Sequence, residues 1–248
     1  MQTIKYAISL PVLKTFICWR SLVLTALIIL FPLNAIVSAD TIDVSNNDCA
    51  SPGSSQTESS LGHFNVGIVS VSGNLGDWDK NSCLRSEISH FDKYALYVDT
   101  NYPSAGCHTG TTRTDAYNCG YSLGLFDVGY AASQGAHSNV WWLDVEQPGV
   151  QFASTYSKNS VFLYGLSSAL QTRGVTDLGY YSTSLQWDGI TGGWHSGNNA
   201  WYATGEHGSP PSSIINNDCH NDFTGGPVVY YQYIVGSTQS GLDYDGNC

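Results

Sequence analysis

The chain has 248 residues, 20 of them Asp or Glu against 9 Lys or Arg, for a net charge of −11. That length supports one sizeable core rather than two, and the acidic balance excludes nucleic-acid and anionic-membrane surfaces, which need clustered bases. The 16 Tyr and 7 Trp suit a neutral ligand held by hydrogen bonds and stacking, although an aromatic-rich core would give the same counts.

Residues 1–39 carry Lys5, Lys14 and Arg20 and no acid, then an apolar run from Leu22 to Phe31, Pro32, and the small-residue triplet Val37-Ser38-Ala39. This is the layout of a signal peptide cleaved after Ala39. The competing reading, a retained anchor, has only the stretch 22–31 before Pro32, where ~20 apolar residues are needed to span a bilayer. Export to the extracellular space is therefore expected, with no stable membrane association afterwards. Removing three basic residues leaves the mature segment, 40–248, at −14.

The mature segment opens with Thr41-Ile42-Asp43-Val44-Ser45, whose β-branched residues predict a strand with an acid on the face opposite Ile42 and Val44. A polar loop to about Gly62 precedes a second strand over 64–72, continuous enough in apolar residues to be buried in a parallel sheet. Leu84, Ile88 and Phe91 predict a helix over 82–91, and Tyr94 to Asp99 a third strand. After a loop over 104–115, Tyr117, Tyr121, Leu125 and Val128 predict a helix over 116–134, stopped by Gly135. Val140-Trp141-Trp142-Leu143-Asp144-Val145-Glu146 reads as a fourth strand, and Leu163, Leu166 and Leu170 as the inward stripe of a helix over 160–172 that stops at Gly174. Strands over 176–182, 200–203, 228–233 and 242–245 bring the number to eight. Strands alternating with helices argue for a parallel α/β architecture. The fold expected for 40–248 is one irregular, TIM-like (β/α) barrel, with a reduced set of helices because the last third has little room for them.

The fourth strand carries the most chemistry. Residues at i and i+2 of a strand share one face at roughly 6.5–7 Å, so Asp144 and Glu146 would point into one pocket. Paired carboxylates at that separation suit glycosidic bond cleavage, one as a neutral acid and the other as an anion facing oxocarbenium charge. The bland alternative is that both end the strand and face solvent. Catalytic groups of barrels sit at the C-terminal ends of strands, the kind of position expected for Asp43, Asp144, Glu146 and Asp243. Gly120-Tyr121-Ser122-Leu123-Gly124 matches the serine-hydrolase elbow, which requires a strand before it and a helix after it; here it falls inside a helical pattern, and chance is the better reading.

Cys18 leaves with the leader, and Cys49, Cys83, Cys107, Cys119, Cys219 and Cys248 remain, an even set that reads as disulfides in an exported chain. The spacing leaves the connectivity open; proximity favours Cys107–Cys119 and Cys219–Cys248, which leaves Cys49–Cys83. There is no CxxC or HxxxH pair and the seven histidines are scattered, so neither a zinc site nor any cofactor is expected.

With these residues in view, the chain resembles the N-acetylmuramidases (lysozymes) of glycoside hydrolase family 25 and the related glycoside-hydrolase-like barrels of secreted proteins. Ile42-Asp43-Val44-Ser45 is similar to the family's G-I-D-V-S and Leu143-Asp144-Val145-Glu146 to its L-D-V-E. Gly179-Tyr180-Tyr181-Ser182-Thr183 followed by Trp187 resembles G-I-Y-S-S, and Ala200-Trp201-Tyr202-Ala203 resembles L-W-V-A. Gln232-Tyr233 is similar to W-Q-Y, and Leu242-Asp243-Tyr244-Asp245 to the closing V-D-x-N. The resemblance implies Glu146 as general acid, Asp144 as the second carboxylate and Asp43 as a supporting acid. It implies Asp243, Tyr181, Trp187, Tyr97 and Gln232 as sugar-binding residues, and a monomer acting on peptidoglycan or a related amino-sugar glycan. Two positions depart from the family pattern: Ser72-Gly73 stands in place of a glutamate–glycine pair, and Tyr97-Val98-Asp99 in place of Tyr-His-Phe. A barrel that binds a glycan with little or no turnover is the alternative, because fold does not settle activity.

Overall fold

Strand β1 (Thr41–Val44) shows the rule that builds the molecule: Ile42 and Val44 enter apolar packing on one side while Asp43 faces the other, as a two-residue period requires. The alternation recurs in β2 (Val66–Ser70), β3 (Lys93–Asp99), β4 (Val140–Asp144), β5 (Asp177–Ser182), β6 (Asn199–His207), β7 (Val228–Val235) and β8 (Leu242–Asn247). These strands close into an irregular, TIM-like barrel in chain order. The computed structural model describes residues 41–45, 65–73, 78–100, 102, 107, 112–146, 153, 155–235 and 242–248. The expected leader over 1–39, the polar loop before β2 and Cys49 lie outside them. Among the described residues no helix is long and apolar enough to cross a membrane.

One expectation is corrected. Strands β1 to β7 run parallel to their neighbours, but β8 is antiparallel to both β7 and β1. A parallel return needs a crossover of about a dozen residues or more; the connection between β7 and β8 spans only 236–241, so β8 has to fold back as a hairpin arm. Asp243 thus lies at the N-terminal end of its strand, not the C-terminal end. The reversed direction still brings it to the rim where the parallel strands end, opposite Asp43 in register.

Two apolar layers follow from the alternation. Ile68, Ala95, Tyr97, Trp142, Tyr181 and Trp201 fill the barrel, while Ile42, Val69, Leu96, Leu143 and Tyr180 face outward under the helices. Trp142 and Trp201 meet edge to face at 5.8 Å. Across the register from Trp142 stands Gly179, where any Cβ would fall on the indole ring. Each buried indole removes ~150–250 Å² from water, worth at most about 4–6 kcal/mol.

The helices among the described residues are α1 (Leu84–Ile88), α2 (Arg113–Ser133), α3 (Tyr156–Thr172), α4 (Ser184–Thr191) and α5 (Ser212–Asp218). Helix α2 starts three residues before the expected position because Thr112 and Asp115 form a capping box: the Asp115 N–H donates to Thr112 Oγ1 at 3.2 Å, and the Thr112 N–H to the Asp115 carboxylate at 3.0 Å. Gly135 and Gly174 follow α2 and α3 with φ of 82° and 97°, as their stop signals predict. Helices α4 and α5 are short and were not expected. The start of α4 is marked only by Thr183, whose hydroxyl accepts the Gln186 N–H at 3.1 Å.

The glycines of the elbow-like motif serve a packing role. Gly120 and Gly124 lie on the buried face of α2, where α3 crosses it: a Cβ on Gly120 would fall on the Phe162 carbonyl, and one on Gly124 would meet Ala169 Cβ and the Leu166 carbonyl, each at 2.8 Å. Gly165 of α3 faces the Tyr117 carbonyl in the same way. Ser122 is on the exposed side, donating to Asn118 O at 2.8 Å, and no strand–turn–helix surrounds it.

Cys107–Cys119 and Cys219–Cys248 are bonded, each with Cα atoms 5.4 Å apart. The second ties the C-terminus to the end of α5, and the Cys248 N–H also donates to Val229 O at 3.0 Å. The Cys49–Cys83 pairing includes a residue outside the described set.

Candidate active site

The alternation that sends Leu143 into the outer layer and Asp144 into the barrel does not stop where β4 ends. Val145 donates its N–H to Tyr181 O at 2.9 Å and accepts from Ser182 Oγ at 2.7 Å, and its side chain is fully buried in the outer layer. Glu146 is therefore turned back over the barrel mouth although it lies beyond the strand. Thr100 adds two bonds to the Asp144 carbonyl, from its N–H at 3.0 Å and its hydroxyl at 2.5 Å, so the backbone under both acids is held from two sides.

Asp144 and Glu146 open into one cavity of about 330 Å³, lined also by Tyr97, Asp99, Tyr181, Trp201, Gln232, Ile234 and Asp243. None of these residues is basic. Asp43 adjoins them: Tyr181 donates its hydroxyl to Gln232 Oε1 at 2.6 Å, and Gln232 Nε2 donates to Asp43 Oδ2 at 2.7 Å. The neutral amide thus joins a buried phenol to a buried carboxylate.

Asp99 was not among the expected site residues. It ends β3 in register with Asp144 on β4, and both carboxyl groups open into the same cavity. Ser72 clamps Asp99 from the neighbouring segment, donating to Oδ2 at 2.9 Å and accepting the Asp99 N–H at 2.8 Å. The two departures from the family pattern, at Ser72 and Asp99, are therefore in contact. A strand-end acid one register step from Asp144 was the available signal, visible only once the strands are paired. Trp201, Ile234 and Gln186, which hydrogen-bonds Glu146, were also missed.

Burial pushes the Asp144 carboxyl well above the ordinary carboxylate range, with the charges of Glu146 and Asp99 adding to the rise. Glu146 is raised chiefly by burial as well; its bond to Gln186 opposes the rise, and Asp99 and Asp243 reinforce it. Asp144 is the deeper of the two groups, and burial raises its carboxyl more than that of Glu146. Burial likewise holds the Tyr97 and Tyr181 phenols in the neutral form.

Trp187 is corrected. It is 0% exposed and lies in the outer layer, its ring 5.0 Å from Tyr180, 5.4 Å from Phe223 and stacked on Trp194 at 5.9 Å. Its indole N–H donates to Trp194 O at 3.0 Å. An eight-residue helix that tucks its one indole inward leaves nothing of Trp187 to line the pocket.

Asp245, where the family's closing pattern has Asn, is fully buried in the barrel beneath Asp243. Burial raises its carboxyl well above the usual range; Asp243 adds to this and the Trp201 indole opposes it. A carboxyl raised in the folded state contributes stability that is complete below the unfolded-state pKa of ~3.9 and is lost as pH climbs through the folded value. The melting temperature is therefore expected to rise on acidification from neutral pH. Asp245→Asn should flatten that dependence and stabilise the protein at neutral pH, by about 1.4 kcal/mol per pH unit of the window removed. Thermal denaturation of both proteins across pH checks this.

A family model described as lysozyme-like protein 1 matches residues 127–225. Probable GH family 25 lysozyme 4 of Dictyostelium discoideum is 30% identical over 197 residues, covering 72% of this chain and 87% of that protein. Lysozyme 2 of the same organism is 28% identical over 181 residues, covering 71% and 77%. A segment of 64 residues is 39% identical to lysozyme 5 and covers 30% of it. The fold is shared with the bacterial lysozyme from Streptomyces coelicolor, at a TM-score of 0.55 and 16% identity over 84% of this chain and 90% of that one. It is shared also with the muramidase from Acremonium alcalophilum, at 0.53 and 15% over 84% and 93%. The chain belongs to glycoside hydrolase family 25, the lysozyme family.

Proposed function

We propose that residues 40–248, exported by a leader over 1–39, hydrolyse β-1,4 glycosidic bonds of peptidoglycan in the manner of an N-acetylmuramidase. The observation that carries this reading is the meeting of Asp144, Glu146 and Asp243 in one cavity that, among the described residues, no basic side chain lines. In such a site a carboxyl can keep a proton for use as an acid. The disulfides are consistent with an oxidising destination.

Glu146, reaching over the mouth, protonates the glycosidic oxygen as its bond to the anomeric carbon breaks. Asp144, deeper, becomes the anion that stabilises the positive charge left behind. That charge is either on an oxazolinium closed by the substrate's own N-acetyl oxygen or collapses into a covalent ester. Water then adds at the anomeric carbon, and its proton returns to Glu146. Asp43, held by Gln232, and Asp243 keep the far wall polar. Tyr97, Tyr181 and Trp201 supply flat faces and hydroxyls for a sugar ring.

The expected result is that the purified mature protein clears a suspension of insoluble peptidoglycan and releases fragments with reducing muramic ends. Protein that sediments with the wall but releases nothing would overturn the enzymatic reading in favour of a glycan-binding barrel.

A further inference from the structure

Asp99 and Asp144 are register partners at adjacent strand ends and open into one cavity, and two carboxyls side by side in a buried site do not both stay ionised, so that one of them favours keeping a proton. Asp144 is 9% exposed, and its Oδ1 is buried without a hydrogen-bond partner among the described residues. The backbone bonds from Thr100 reach only its carbonyl. The other carboxyl is anchored differently. Asp99 has Ser72 on its Oδ2 and on its own N–H, and Ser70 Oγ in turn donates to the Ser72 carbonyl at 3.0 Å. One member of the pair is thus clamped, and the other keeps a buried oxygen with no hydrogen-bond partner among the described residues.

We propose that Asp99 is a positioning residue: it shares one proton with Asp144 and takes that proton over when Asp144 must turn anionic against positive charge at the sugar. The inference rests on the reading of Asp144 as the charge-stabilising carboxylate. In the resting pair the proton is on Asp144 and is donated to the Asp99 carboxylate. As the glycosidic bond breaks, the proton shifts along the same hydrogen bond, leaving Asp144 anionic and Asp99 neutral. No proton leaves the pair, and the total charge of −1 is unchanged. When water completes the reaction and the positive charge disappears, the proton returns. Ser72 suits Asp99 to this task, because its hydroxyl donates to one oxygen and leaves the other for the exchanged proton.

The surroundings explain why an internal acceptor is needed. Facing the pair are Asp43 from β1, Tyr97 from β3, Glu146 beyond β4, Tyr181 from β5 and Asp243 from β8, and among the described residues no Lys, Arg or His lines the cavity. Burial and these neighbours raise the Asp144 carboxyl and so favour its protonated form. Without an acceptor one bond away, that proton would have to leave for solvent before each turnover.

Asp99→Asn tests the assignment. The amide fills the same space, and its oxygen can still accept from Ser72, but it cannot take a proton from Asp144. Activity should then require Asp144 to have ionised to solvent. The acid limb of the kcat profile is expected to move to higher pH by about one unit, with kcat at pH ~5 falling about tenfold or more and KM changing less than about threefold. Carbon-13 NMR of the side-chain carboxyls gives a second readout that does not depend on activity. Wild type should show two carboxyls titrating as a coupled pair with one proton retained in the working range, and the variant one carboxyl titrating in a single step. An unchanged acid limb with independent carbon titrations in wild type would overturn the proposal while leaving the lysozyme reading intact. Wild type that is inactive on all walls would instead sink the lysozyme reading, and the NMR titration would still decide whether the pair shares a proton.

Discussion

Glu146→Gln is expected to lower peptidoglycan hydrolysis by ~10²–10⁴-fold, the usual contribution of a positioned general acid, while binding to insoluble wall stays within about twofold of wild type. Glutamine fills the same volume at the barrel mouth and can keep the contact with Gln186, but it has no acidic proton for the glycosidic oxygen. Wild-type activity should fall on the alkaline side as Glu146 loses its proton. Burial and the charges of Asp99 and Asp243 raise that carboxyl, so this limb should lie above the ordinary glutamate range of ~4.3. A reducing-end assay across pH, with pelleting of protein on wall as the binding control, measures both quantities. A variant that keeps more than about a tenth of wild-type turnover would remove Glu146 as the acid and move the role to Asp144.

The largest expected effect on stability lies far from the cavity, where α2 crosses α3. Gly120→Ala should lower unfolding stability by about 3 kcal/mol or more, at the upper end for an overpacked core, because the new Cβ would fall on the Phe162 carbonyl. Backbone cannot rotate away as a flexible side chain can, so the helices must separate and loosen the contacts of Leu123, Leu163 and Leu166, all buried. Gly129→Ala in the same helix is the matched control. Gly129 is exposed, with nothing within 4 Å of an added Cβ, and alanine there should stabilise the helix by about 0.5–1 kcal/mol. Denaturant midpoints that moved in the same direction for both variants would refute the close-packing role of Gly120.

The serine-hydrolase-like motif shows how a local pattern can be right about residues and wrong about their use. The spacing of Gly120 and Gly124 is real, but its cause is a neighbouring helix about which one segment holds no information. Trp187 is a similar case: a tryptophan downstream of a strand end reads equally well as a groove wall or as core. Only the inward turn of α4 onto Tyr180 and Phe223 decides between them.

Properties carried by short stretches were determined by the sequence alone. The eight apolar segments, the helix stops at Gly135 and Gly174, and the inward turn of both Asp144 and Glu146 each depend on residues close together in the chain or on a two-residue period. Properties that depend on which strand ends meet were decided by the tertiary structure. The reversal of β8 brings Asp243 to the rim opposite Asp43, and the pairing of β3 with β4 sets Asp99 against Asp144. Closure of the barrel buries Asp144 more deeply than Glu146 and reorders their hold on a proton. Desolvation and charge–charge coupling act through space, over distances that the order of residues along the chain does not record.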